Sequence, residues 1–316
     1  MDRDMLDSLP PGVLLARDAA AAGTGCHALR RAVRAGALVR VRPGAYVRRA
    51  EWDVAQAEAR HLMVVEAASR QLADPEFSHE SAAAVWGLPL VGDGLGDAVH
   101  VLGPATEDGA RRGLGTRAGV TRHAARPSVR VVEHAGIHVT SPADTVLAIA
   151  GARDLRRSLP VADAAVRAGL VTADELRAAA RGRVGTRDVR RLRAVALLAN
   201  GRSESAGESL SRARMHLDGF VQPDLQVPFV HRGVLVARVD FWWADARVVG
   251  EFDGRKKYRV DGVGDRRALE ERVWAEKRRE DRLRHAGFRV VRWTWQDAWQ
   301  PGPLAALLRG AGVPRA

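Results

Sequence analysis

The stretch VDFWWADARVVGEFDGRKKY, Val239 to Tyr258, places one acid at the end of an apolar run and two more at the end of the next. Alternating apolar residues on either side of Ala244-Asp245 predict a β-hairpin with a buried face. An ionised carboxylate buried without a partner costs several kcal/mol or is forced to neutralise. Asp240, Glu251 and Asp253 therefore limit this region to folds that give the three acids a common purpose.

The surrounding pattern narrows those folds further. ESAGESLSRARMHLDG reads as a helix stopped by Gly219, LQVPFV and VLVARVDFWW as strands turning at His231-Arg232-Gly233, and RVVGEFDG as a third strand. A long charged helix, DRRALEERVWAEKRREDRLRHAG, and a strand, FRVVRWTW, complete the order α-β-β-β-α-β. Adjacent strands lie about 4.8 Å apart, so acids on one face of such a pair can share a cation. Glu251 and Asp253 are two residues apart and project to one face, with Phe252 on the other. Clustered carboxylates repel unless a cation compensates, and oxygen-only ligands with no Cys or His nearby favour Mg²⁺ or Mn²⁺, which retain waters able to act as nucleophiles. That is nuclease chemistry. Trp242, Trp293 and Trp295 read as strand core ahead of base-stacking platforms.

From Glu204 to Trp299 these residues resemble the domain related to very-short-patch mismatch-repair endonucleases, a branch of the PD-(D/E)xK superfamily. The resemblance implies an acid on one strand, Asp240, and a second on the next, Glu251, holding Mg²⁺ and activating water. It also implies a third ligand from the first helix, Glu208, which shares a helical face with Glu204. Where the pattern has a lysine two residues after the second acid, this chain has Asp253. A lysine there would position water and offset transition-state charge. The expected substitutes are Lys257 or Lys256 from the following loop and Lys277 from the long helix. Lys277, Arg279, Glu280 and Leu283 match the family pattern K-x-R-(D/E)-x-x-L, which marks Arg279 as a phosphate ligand or a helix-surface ion pair.

The N-terminal part reads differently. LLARDAAAAG predicts a helix, Gly23-Thr24-Gly25 a break, and CHALRRAVRAG a basic helix ending at Gly36; LVRVRPGAYV alternates as a β-ribbon turning at Arg42-Pro43-Gly44. Helix, turn, helix and ribbon outline a winged helix-turn-helix, in which the second helix enters the major groove. Arg30, Arg31 and Arg34, with His27, would then face phosphates or bases, and Arg40 and Arg42 would lie on the wing. The layout resembles the N-terminal domain of AbiEi-type antitoxins, and SHESAAAVWGLP…HVTSPADTVL resembles the linker that follows it.

The fold expected is α+β and multidomain. It comprises a winged helix-turn-helix over residues 1–50, a mixed strand and helix region over 51–200, and an α/β restriction-endonuclease-like domain with a central mixed sheet over 201–316. In the middle region Ser78 or Ser81 is expected to cap the helix AAAVWG, and His79, Glu80, His134 and His138 read as structural. The formal charge of +12 favours a nucleic-acid partner, tempered by Arg/Ala/Gly-heavy usage, and the single Cys26 excludes an internal disulfide or a multi-cysteine zinc site. No apolar run approaches the roughly 18 residues of a membrane span, and the N-terminal acids do not fit a signal peptide, so a cytoplasmic protein is expected. Three functions stand. The first is a double-stranded-DNA-binding, Mg²⁺- or Mn²⁺-dependent endonuclease. The second is a non-catalytic, antitoxin-like transcriptional regulator using a degenerate nuclease fold beside a toxin or defence partner. The third is a protein-docking module.

Overall fold

The computed structural model describes residues 11–92, 98–103, 115–126, 128–183, 188–231, 234–254 and 282–316. The chain forms two compact units, each assembled from two segments: Met1–Arg153 with Asp174–Leu192, and Asp154–Ala173 with Arg193–Ala316.

The first unit begins with β1 (Leu14–Leu15), α1 (Ala16–Ala21), α2 (Cys26–Arg34), β2 (Leu38–Arg42) and β3 (Ala45–Arg48), with strand order β1-β3-β2. Leu14 and Leu15, expected to open a helix, instead pair with Tyr46 and Ala45 of the ribbon. Both leucines are buried, and the extended backbone delivers their side chains to two separate core clusters. α2 is amphipathic: Leu29 and Ala32 are buried while its arginines lie outside. The helix stops at Gly36, whose φ of 74° allows its N–H and that of Ala37 to bond back to Val33 and Ala32. Leu14, Ala19, Leu29, Ala32 and Leu38 make one core of this winged-helix segment.

The unit continues with α3 (Arg49–Val54), α4 (Ala57–Ser69), α5 (His79–Val85), β4 (Val99–Leu102), β5 (Gly115–Arg117), β6 (Val120–His123), β7 (Val131–His134), β8 (Ile137–Thr140) and α6 (Pro142–Ala152). β4 and β6 run parallel, β5 closes the sheet in the order β4-β6-β5, and β7-β8 is a hairpin. Fully buried Phe77 bridges Val101 and Val139 and thereby ties β4 to the hairpin. Ser141 caps α6 by accepting the Asp144 N–H, ahead of a proline in the first turn. The chain then passes through α7 (Leu155–Arg167) of the second unit, α8 (Ala173–Arg181) and α9 (Val189–Leu198).

The second unit contains α7, α10 (Ala206–Leu217), β9 (Asp224–His231), β10 (Val234–Trp243), β11 (Val248–Asp253), β12 (Arg289–Thr294), α11 (Trp295–Trp299) and α12 (Pro303–Gly310). Its sheet is mixed, in the order β12-β11-β10-β9, with β11 and β12 parallel and the other pairs antiparallel. One core holds Leu210, Leu225, Phe241, Trp243, Val248 and Trp293, and Phe252 packs against it. Another holds Ala237, Val239, Val249 and Leu283, with Val227, Phe229 and Trp242 packed against it. The two-residue alternation of β9 breaks at Gln226, which adopts φ 53°: Leu225 enters the first core, Val227 the second. Opposite it on β10, Val239 and Phe241 are likewise assigned to different cores, so the kink falls at Asp240.

Two expectations fail locally. Trp295 does not continue the last strand: Thr294 and Asp297 form a capping box that starts α11 there. Ser81 does not cap α5. Its hydroxyl accepts the His100 N–H at 2.8 Å and meets His61 Nε2 at 3.0 Å, and Ser78, at the cap position, makes no side-chain capping bond. Among the described residues, no helix is long and apolar enough to cross a membrane.

Candidate functional site

Three places bring together side chains that sequence reasoning singled out or overlooked. The first is the exposed face of α2. Its helical repeat puts His27, Arg30 and Arg34 along one groove, which is completed by Cys26, Val33, and Arg40, Gly44 and Tyr46 of the ribbon. Arg30, Arg31, Arg34 and Arg40 are all exposed, though Arg31 does not line the groove. A cationic groove with an aromatic wall on a helix-turn-helix is suited to a phosphate backbone.

Arg42 departs from the expectation. It is only 7% exposed, and its guanidinium donates to Gln71 Oε1 at 3.1 Å and to the Gly119 carbonyl at 3.0 Å. The ribbon pleat turns this arginine inward, where it ties the ribbon to Gln71, just past α4, and to the β5-β6 turn. It is a structural cation of the first unit, not a wing contact.

The second place is the carboxylate group of the second unit. The antiparallel register pairs Phe241 with Gly250, so the next step sets Asp240 beside Glu251. Asp240 Oδ2 accepts the Phe252 N–H at 2.9 Å, and its Oδ1 accepts from Gln226 Nε2 at 3.3 Å. The same amide donates to Glu208 Oε2 at 3.0 Å. Glu208 is buried in the first turn of α10. The Ser205 hydroxyl accepts its N–H, and its carboxylate takes hydrogen bonds from the Ser205 hydroxyl at 2.7 Å and the Glu204 N–H at 2.9 Å. Burial, with the negative charge of Asp240 adding to it, raises the Glu208 carboxyl above its ordinary range. Glu251 is buried on β11 opposite Arg292, and Asp253 is half-buried opposite Thr294. Lys256, Lys257, Lys277, Arg279 and Glu280 lie outside the described residues.

Oxygen donors of this kind suit Mg²⁺ or Mn²⁺. Yet a glutamine amide, not a position for a cation, joins Glu208 to Asp240. Among the described residues, the only set of three or more ligand-type side chains with donor atoms all within 4.8 Å of one another lies elsewhere.

That set is the third place: His79, His100 and His123. These residues are 21 and 23 positions apart, so no local spacing advertises them; the parallel pairing of β4 with β6 brings His100 to His123, and the start of α5 beside β4 adds His79. His134 and His138, by contrast, sit on the β7-β8 hairpin, where His134 packs on Trp86 and His138 meets Asp74 at 2.8 Å.

Comparison with known proteins gives these places a context. Residues 5–49 match the family described as "Transcriptional regulator, AbiEi antitoxin". Over 231 residues the chain is 31% identical to "Uncharacterized protein Rv2248" of Mycobacterium tuberculosis (strain ATCC 25618 / H37Rv), covering 67% of this chain and 80% of that protein. The same figures hold for "Uncharacterized protein MT2308" of the strain CDC 1551 / Oshkosh. With that share of the mycobacterial sequence matched, this chain belongs to the same family as these two proteins, and it carries at its N-terminus a domain of the AbiEi antitoxin regulator type.

Proposed function

We propose that the protein is a double-stranded-DNA-binding transcriptional regulator of the antitoxin kind, with α2 seated in the major groove and the β2-β3 ribbon against the flanking backbone. The observation that carries this reading is the groove on which His27, Arg30, Arg34 and Arg40 converge, built on the segment that matches the AbiEi regulators. A toxin or defence protein encoded nearby is the partner such a regulator would serve. The test is binding to duplexes from upstream of its own gene, against scrambled duplexes, across a range of salt. Binding should fall steeply with salt, and Arg30→Ala or Arg34→Ala should each reduce the slope of log K against log salt by about 1 if it removes one phosphate contact. Unchanged binding in the double variant would overturn the reading.

A second reading, phosphodiester hydrolysis by the second unit, is favoured by one observation: Glu208 and Asp240 converge on a single amide beside Glu251. Nicking of supercoiled plasmid in Mg²⁺ or Mn²⁺ decides it. Cleavage by the wild type that disappears in Asp240→Ala and Glu251→Ala supports hydrolysis; absence of cleavage, or equal cleavage by all three, refutes it.

A further inference from the structure

We propose that His79, His100 and His123 form a three-imidazole site for a divalent transition metal of the zinc class, with a fourth position open to the adjoining cavity. Three separate elements converge here. His100 stands on β4, and His123 on β6 lies opposite Leu102, two residues along from His100, so the two histidines share a face of the sheet. His79 opens α5 and is pinned beside β4 because the Ser78 N–H donates to the His100 carbonyl at 3.0 Å. His79 holds this place at φ 50°, a backbone region that β-carbon-bearing residues seldom occupy.

The three imidazoles lie within reach of one another. His100 Nδ1 and His123 Nε2 are 2.8 Å apart, and the His79 and His123 rings stack with centroids 3.6 Å apart. One donor atom from each ring lies within 4.8 Å of the others, to be compared with the ~3.3 Å ligand-to-ligand edge of a tetrahedral zinc site. On the outer side, His100 Nε2 faces Glu80 Oε2 at 3.7 Å, beyond hydrogen-bond distance but on the side where a carboxylate orients a metal-bound imidazole, and Arg153 anchors Glu80 from behind. The Ser78 hydroxyl lies 3.1 Å from His79 Nδ1.

With one cysteine in the chain and three imidazoles in the set, Zn²⁺ and Co²⁺ match the donors better than Mg²⁺ does. His79 and His123 line a cavity of about 290 Å³ together with Ser78, Arg126, Thr140 and Arg183. Three protein ligands with space beyond them is the pattern of a metal that keeps an exchangeable water or small anion.

The experiment uses the full chain, stripped with a chelator and titrated with Co²⁺ and then Zn²⁺. One equivalent of Co²⁺ should give the visible absorption of a low-coordinate nitrogen site without thiolate charge transfer, and Zn²⁺ should displace it. His100→Gln and His123→Gln should each weaken binding by at least about tenfold, and Glu80→Gln by about ten- to a hundredfold. His138→Gln, on the β7-β8 hairpin, should leave binding unchanged, which separates this site from the chain's other histidines. X-ray absorption of the zinc-loaded wild type should show three imidazole nitrogens, a readout that stands even if a histidine variant does not fold. No stoichiometric uptake, a shell of oxygen or sulfur alone, or undiminished binding by a folded His100→Gln/His123→Gln protein would overturn the proposal.

Discussion

Gly207 of α10 packs so closely on the Phe252 ring of β11 that a β-carbon at this position would fall among the ring atoms. Phe252 is also held on its edge by Trp295, with ring centroids 5.5 Å apart. The ring therefore has little room to yield. Gly207→Ala should lower the unfolding free energy by about 1–3 kcal/mol, the usual cost of overpacking a filled core. Urea denaturation measures it, and combining the change with Phe252→Leu should recover part of the loss. Wild-type stability in the single variant would show that α10 does not rest on this ring.

Asp163 of α7 and Arg212 of α10 make a buried ion pair at 2.7 Å; the Asn200 N–H also donates to the aspartate, and Arg212 donates to the Leu198 carbonyl. Removing one partner strands the other charge, so Asp163→Ala should cost about 3–5 kcal/mol. A denaturation midpoint close to that of the wild type would refute this.

Asp154 caps α7 by accepting the N–H groups of Arg156 and Arg157, and both guanidinium groups reach its carboxylate. Burial pushes this carboxyl upward, but the hydrogen bond and charge of Arg156, followed by the charge of Arg157, outweigh it and hold the group below its ordinary 3.8. The unfolded chain thus binds this proton more readily than the folded one. The stabilisation is present above 3.8 and disappears as pH falls through the lowered value. Asp154→Ala should cost about 1 kcal/mol at neutral pH, chiefly from the lost cap because the ion pairs are partly solvated. Thermal melts across pH should show the wild-type advantage vanishing at strongly acidic pH; an advantage constant with pH would contradict the assignment.

Arg40 and Arg42 should separate cleanly despite lying two residues apart. Arg40→Ala should weaken DNA binding and flatten its salt dependence with little change in melting temperature. Arg42→Ala leaves the Gln71 side chain and the Gly119 carbonyl without their guanidinium partner, and should cost about 1–3 kcal/mol of stability while leaving the salt slope near wild type. The reverse pattern would place Arg42 on the DNA.

Much of the N-terminal segment was legible in the sequence because its signals are local: a glycine break, an amphipathic basic helix and a ribbon turning at Pro43-Gly44. Of the tryptophans read as strand core, Trp293 is fully buried, while Trp242 and Trp295 are half-buried and pack against the two cores. Failures came where tertiary context decides. Leu14-Leu15 looked helical beside an alanine run but was claimed by the ribbon. Arg42 looked like any wing arginine until partners far along the chain turned it inward. The Gln226 amide between Glu208 and Asp240 could not be anticipated, because it depends on a kink in β9. The three histidines were equally hidden, since strand pairing across the intervening residues is what assembles them.

The exchange of segments between the two units has a practical consequence for anyone dissecting the protein. Because α7 belongs to the second unit and the stretch after it to the first, no single cut yields two intact pieces. A fragment starting at residue 201 would inherit Arg212 without Asp163, its buried ion-pair partner, and without the helix that carries it. A fragment ending at residue 153 would lose Arg183, the ion-pair partner of Asp144. A dissection that respects how the molecule is built carries residues 174–192 with the first unit and 154–173 with the second.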